Sequence, residues 1–202
     1  MARLFNKNAQ APQKSPKEIL ASRYFSARHS IFAILLFTAI NLFLLVVNAD
    51  TYFLFSAYVP YMLVGMSMFL CGMFPQEYYI ENAPGMEFLN TSFFVVCLIV
   101  AVIILLMYLV SWLMTKKPRV GWMIFALVIF VIDTIAMLLM EDNLSESIFD
   151  ILIHIWALLS LTGGIISFFK LKKLPVEPEG DMETVESEIS EEEIVSVQEA
   201  AE

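Results

Sequence analysis

The chain has 202 residues, 59% of them hydrophobic and 16% charged, with a mean hydropathy of +0.73. That composition excludes an ordinary soluble domain, where apolar residues run near half and charged ones near a quarter, and it excludes a disordered chain. The net charge of −9 belongs to one tail, because residues 174–202 hold 11 of the 21 acids and none of the 12 Lys and Arg.

Residues 1–29 form a basic segment, with Arg3, Lys7, Lys14, Lys17, Arg23 and Arg28 against the single acid Glu18. Within it, Ser15-Pro16-Lys17-Glu18 has the makings of a capping box, with Pro at the first helical position, and predicts a helix from about residue 16. Leu20, Tyr24, Ala27 and Ile31 share one face of that helix. It either lies at the membrane interface or continues into the apolar stretch that follows. The long basic region and the interruption at Asn41 read as a retained anchor rather than a cleaved signal.

Five apolar stretches follow, at 31–47, 52–74, 93–114, 120–140 and 148–169. About twenty residues suffice for a helix to cross ~30 Å of hydrocarbon. The expected fold class is therefore all-α, a polytopic integral membrane helical bundle over residues 30–170, with four spanning helices plus a re-entrant or kinked segment at Pro60, or else five spanning helices.

Charge bears on the choice, because five full spans, with Pro60 as an ordinary kink, would put either the N-terminal basic cluster or both later clusters on the wrong side. Basic residues near membrane ends stay cytoplasmic, and they occur before the first stretch, at Lys116, Lys117 and Arg119, and at Lys170, Lys172 and Lys173. The 75–92 and 141–147 loops carry acids and no Lys or Arg. Both chain ends and the 115–119 loop can share one side only if the second stretch crosses an even number of times. Pro60 and Gly65 offer a way, a re-entrant pair of half-helices, since Pro removes an amide donor and Gly loosens a helix. Trp112 and Trp122 then serve as aromatic anchors at the inner face.

The 75–92 loop carries Tyr78, Tyr79 and Phe88 beside its acids, and Pro84-Gly85 suits a type II turn. Asn90-Thr91-Ser92 and Asn143-Leu144-Ser145 match glycosylation sequons, which carry no meaning in a bacterial protein. Cys71 and Cys97 read as buried thiols used as small apolar residues, although a disulfide between them is conceivable. Residues 171–202 form an acidic tail of disordered character.

Polar side chains inside the apolar stretches each need a partner or a role. Asp133 and His154 lie at matching depth on stretches joined by a seven-residue loop, and Asp150 stands one turn from His154. These three make a polar cluster that serves either as an interhelical hydrogen bond or as a proton or ion site; as a metal site it offers too few ligands. Ala157, Ser160, Gly163, Gly164 and Ser167 form a small-residue seam on which a helix of this chain or of a partner could pack. Thr38 and Asn41 are further hydrogen-bonding residues expected to be satisfied by a neighbouring helix.

No HExxH, GxSxG, P-loop or GxGxxG occurs, so the expectation is a non-enzyme with no cofactor and no metal. The partners expected are the lipid bilayer and a membrane protein or a second copy of the chain, not nucleic acid. The reading of function is a multi-pass protein of the cell membrane with both termini cytoplasmic, acting as an accessory or interaction subunit; the alternative is a small proton-coupled or ion-coupled transporter using Asp133, Asp150 and His154.

Overall fold

Ser15 starts the first helix as its sequence requires: its Oγ accepts the Glu18 amide at 3.2 Å, and its own amide donates to Glu18 Oε2 at 2.6 Å. In the computed structural model, which describes residues 15–49, 51–53, 55–117, 119–140 and 148–174, six helices follow one another. They are α1 (Pro16–Val46), α2 (Tyr58–Leu70), α3 (Gln76–Asn82), α4 (Thr91–Met114), α5 (Val120–Met140) and α6 (Ile148–Lys173). Among the described residues there is no strand. The expectations about the acidic tail beyond residue 174, the 141–147 loop with Asn143, and the first fourteen residues lie outside the described residues.

Four of these helices, α1, α4, α5 and α6, are long and apolar enough to cross a membrane. α1 has no break at residue 30: the basic amphipathic turns continue straight into the apolar stretch, with Tyr24, Ala27 and Ile31 buried on one side. α4 begins at Thr91 because Asn90 caps it, its Oδ1 accepting the Ser92 amide at 2.9 Å. α6 runs on to Lys173, so Lys170, Lys172 and Lys173 occupy its last turn, where cations complement the exposed carbonyls and the helix dipole.

Contacts fix the direction of each helix. Tyr24 and Arg28 of α1 meet Thr115 and Trp112 beyond and within the end of α4, so α1 and α4 are antiparallel. Ser30 meets Ser160 and Ala27 lies against Gly164, so α1 and α6 are antiparallel too. Met123 packs on Gly164 while Asp133 faces His154, which orients α5 against α6. All three basic clusters, Arg23 with Arg28, Lys116 to Arg119, and Lys170 to Lys173, therefore gather at one end of the bundle. Glu77, Glu81 and Glu87 stand at the other.

α2 is the element that makes this arrangement possible. Its 13 residues extend roughly 20 Å, short of the ~30 Å hydrocarbon core. Ala57 lies beside Thr38 and Gly65 beside Leu45, so α2 runs parallel to α1. The chain leaves α1 at the acidic end, returns into the bundle through residues 51–53 and 55–57, which are not helical, and goes back out along α2. The segment is re-entrant, with one difference from the expected pair of half-helices: the inward limb is not helical. The Asn41 side chain explains this, because it pairs with the inward limb as a neighbouring strand would, donating to the Phe53 carbonyl at 2.7 Å and accepting the Phe53 amide at 2.8 Å. Pro60 does not kink a helix either. It sits in the first turn of one, where an amide would lack an intrahelical partner.

The core follows this plan in two layers. Toward the basic end, Ala27, Ile31, Tyr108, Met123, Phe130 and Leu161 pack the four long helices together. Toward the acidic end, α2 takes the interior, and Val64 and Met68 pack with Leu42, Phe94 and Ala101.

Candidate functional site

A helix start inside the bundle leaves its first amides without intrahelical acceptors, and in an apolar interior each must be satisfied by other means. At α2 all four positions are settled. The Ala57 amide donates to Thr38 Oγ1 at 2.8 Å, the Tyr58 amide to Asp133 Oδ2 at 2.9 Å, and the Val59 amide to Asp133 Oδ1 at 2.8 Å. The fourth position is Pro60, which has no amide to satisfy. Thr38 is itself anchored to the Ile34 carbonyl, and Ser56 accepts from Asn41 at 2.8 Å while its hydroxyl reaches Tyr52 Oη at 3.2 Å. A carboxylate at this point also meets the positive end of the helix dipole.

Asp133 and His154 are both buried, at 4% and 1% exposure, and His154 Nε2 stands 3.5 Å from Asp133 Oδ2. The imidazole lies flat against Phe130, with ring centroids 5.0 Å apart and planes 6° from parallel. Its Nδ1 is 2.8 Å from the Asp150 main-chain oxygen one turn earlier. The structure thus brings Asp133 and His154 together directly, whereas Asp150 holds the imidazole through its carbonyl. Tyr52 of the inward limb and Tyr108 of α4 stand within electrostatic reach of Asp133. Among the described residues, no group of three or more His, Cys, Asp and Glu is placed to hold a metal ion.

The small-residue positions of α6 divide between two surroundings. A side chain at Gly164 would collide with Ala27 Cβ and come within 3.0 Å of Met123 Sδ, so α1 and α5 close on that glycine. Ser160 shares a 2.8 Å hydrogen bond with Ser30 of α1, and Ala157 and Ser167 are buried. Gly163 faces open space. The seam formed by Ala157, Ser160, Gly164 and Ser167 is occupied by helices of this same chain.

Three further side chains fasten the bundle ends. At the basic end Tyr24 crosses between helices, its Oη donating to the Thr115 carbonyl at 3.3 Å and accepting the Arg119 amide at 3.2 Å. Arg28 lies 5.2 Å over the Trp112 ring and donates to the Trp112 carbonyl. At the acidic end Tyr79 donates toward the Met68 and Phe69 carbonyls, at 3.3 and 3.0 Å, and so closes the C-terminus of α2. The 83–86 turn has the Gly85 φ of +80° that a type II turn needs. A shallow cavity of about 420 Å³ opens there, lined by Gly72, Phe74, Tyr79, Ile80, Pro84 and Phe88. Cys71 and Cys97 are free thiols; Cys97 is buried, and the Cys71 Sγ points at the Asn90 carbonyl.

Sequence reasoning named Thr38, Asn41 and Asp133 as polar residues but missed what they serve. Their main partners are backbone groups of the re-entrant segment, which leave no trace in residue type. Pro60 at the head of the apolar run Tyr61 to Val64 was the available signal, since Pro is tolerated in the first turn of a helix. The fold is an all-helical bundle with four candidate spanning helices, compatible with a multi-pass membrane protein. No protein-family model, curated protein or solved structure matches the chain.

Proposed function

We propose that the chain is a multi-pass protein of the cell membrane that works as a non-enzymatic accessory or interaction subunit, with its basic end and both termini in the cytoplasm. The orientation rests on the gathering of every described Lys and Arg cluster at one end. The function rests on the employment of Asp133. Both of its oxygens accept α2 amides, so the most conspicuous intramembrane acid serves to hold a backbone element in place. Next toward the basic end the bundle is filled by Phe130, Ala126, Met123, Ala157 and Leu161, with the phenols of Tyr24 and Tyr108 as the ionisable groups of that core cluster. That arrangement suits a rigid scaffold whose outer faces meet lipid and partners.

A proton-coupled or ion-coupled transporter is the second reading, favoured by one observation: a half-helix begins in the bundle interior beside an Asp–His pair, and transporters build sites at such helix ends. Reconstitution in liposomes with a trapped pH dye separates the two. The accessory reading expects no substrate-dependent proton flux, together with stoichiometric co-purification of one defined membrane protein. Flux that disappears in Asp133→Asn while the variant stays folded overturns it in favour of transport.

A further inference from the structure

We infer that Asp133 and His154 form a buried proton-binding site, in which one proton held on His154 Nε2 latches the N-terminus of α2 to α5 and α6. A main-chain carbonyl can only accept, so the 2.8 Å contact between His154 Nδ1 and the Asp150 oxygen fixes a hydrogen on Nδ1. In a neutral imidazole, Nε2 would then present a lone pair. That nitrogen faces Asp133 Oδ2 at 3.5 Å, and both Asp133 oxygens already accept amides, from Tyr58 and Val59. Two acceptors would stand opposed in a space closed to water, with Nε2 making no hydrogen bond. A proton between them removes the conflict.

Its position follows from the same contacts. Both Asp133 oxygens are engaged as acceptors of the Tyr58 and Val59 amides, whereas Nε2 has no other partner, so the proton belongs to the imidazole. The result is a net-neutral pair, as a buried charge requires. The Oδ2 to Nε2 distance is an ion-pair separation that a small rotation of the ring converts into a hydrogen bond.

The groups around the pair leave it the proton. α1 presents Thr38 and Asn41, which carry no charge, and α5 presents Phe130 against the ring. The re-entrant segment brings Tyr52, α4 brings Tyr108, and α6 brings Asp150. No Lys or Arg approaches the pair among the described residues, all of them lying toward the basic end or before it. His154 is therefore the cation that the Asp133 carboxylate meets, and loss of its proton leaves that carboxylate without a countercharge beside the α2 amides.

The test uses the full chain, labelled with ¹⁵N at histidine and held in lipid nanodiscs. The chain has two histidines, and His29 is exposed, so His29→Gln leaves one signal to read. At neutral pH both ring nitrogens of His154 are expected to carry hydrogens, the imidazolium signature. A signature with one bare nitrogen overturns the proposal, and this outcome depends on no further variant. The latch is read separately at a single pH by amide exchange at Tyr58 and Val59. His154→Gln keeps a hydrogen-bond donor but brings no charge, and both amides are expected to exchange at least ten-fold faster in it. Unchanged protection refutes the latch even where the imidazolium is present.

Discussion

Thr38 of α1 and Asp133 of α5 approach the same helix start from two sides, one taking the Ala57 amide and the other the Tyr58 and Val59 amides. Neither long helix alone could hold α2 at this depth. Together they turn a helix end that would be ruinous in hydrocarbon into a satisfied one, and with Asn41 they let the chain return to the end it came from.

The first prediction concerns Asp133. Replacement by Ala leaves two buried amides without acceptors, each worth about 1–3 kcal/mol, and leaves His154 without its counterion. A loss of roughly 3 kcal/mol or more is expected in reversible unfolding in mixed detergent micelles. Asp133→Asn can still accept one amide and should fall between Ala and the native chain. Thr38→Val, which removes a single neutral acceptor, should cost about 1–2 kcal/mol. Equal losses for Asp133→Ala and Thr38→Val would contradict the division of labour at the α2 start.

Much of this was legible beforehand in outline. The stretches at 93–114, 120–140 and 148–169 correspond closely to α4, α5 and α6 because about twenty apolar residues leave a backbone in lipid few choices but helix. The capping box at Ser15 was readable from residue type, and an even number of crossings by the second stretch was one of the two courses that charge left open. The inward limb was not legible. Whether Phe53 and Ala57 coil or extend is decided by the Asn41 amide and by Thr38, which lie on another helix, and single-sequence patterns report neighbours along the chain rather than across it. For the same reason the Asp133–His154 approach could be proposed from depth, while the amides that Asp133 serves could not.

Pro60 yields a prediction whose sign separates two accounts. A proline in the middle of a helix destabilises it by ~3 kcal/mol, so Pro60→Ala would then be strongly stabilising. In the first turn of α2 the same change creates a buried amide beside a carboxylate whose two oxygens are already taken. The expected result is a loss of about 1 kcal/mol in the same unfolding experiment. A gain of several kcal/mol would place Pro60 in a helix interior after all.

Gly164 and Gly163 are adjacent and should respond in opposite ways. At Gly164 a methyl group meets Ala27 Cβ and Met123 Sδ, so Gly164→Ala forces α1, α5 and α6 apart and should cost about 1–3 kcal/mol, with Gly164→Val worse. At Gly163 nothing stands in the way, and Ala is the better helix former by about 1 kcal/mol, so Gly163→Ala should be neutral or stabilising. A cost at Gly163 equal to that at Gly164 would mean that the outward side of α6 is packed against another chain in the membrane.

The course of the re-entrant segment can be tested by labelling single cysteines with an impermeant thiol reagent in a chain lacking Cys71 and Cys97. Lys17, Lys117 and Lys172 stand at or near the basic end, and Glu81 stands in α3 at the opposite end. Cysteines at the three lysine positions should therefore share one accessibility, and a cysteine at Glu81 should show the other. If α2 instead completed a fifth crossing, Glu81 would lie on the same side as Lys17, and Lys117 and Lys172 would lie across the membrane from both. That pattern would detach α2 from the parallel course beside α1 on which Thr38, Asn41 and Asp133 depend. Repeating the labelling in Asp133→Ala adds a second readout, because Ala57 is buried in the native chain. A cysteine there should react slowly with native Asp133 and at least several-fold faster once the carboxylate is gone, since the α2 start then lacks two of the three acceptors that hold it.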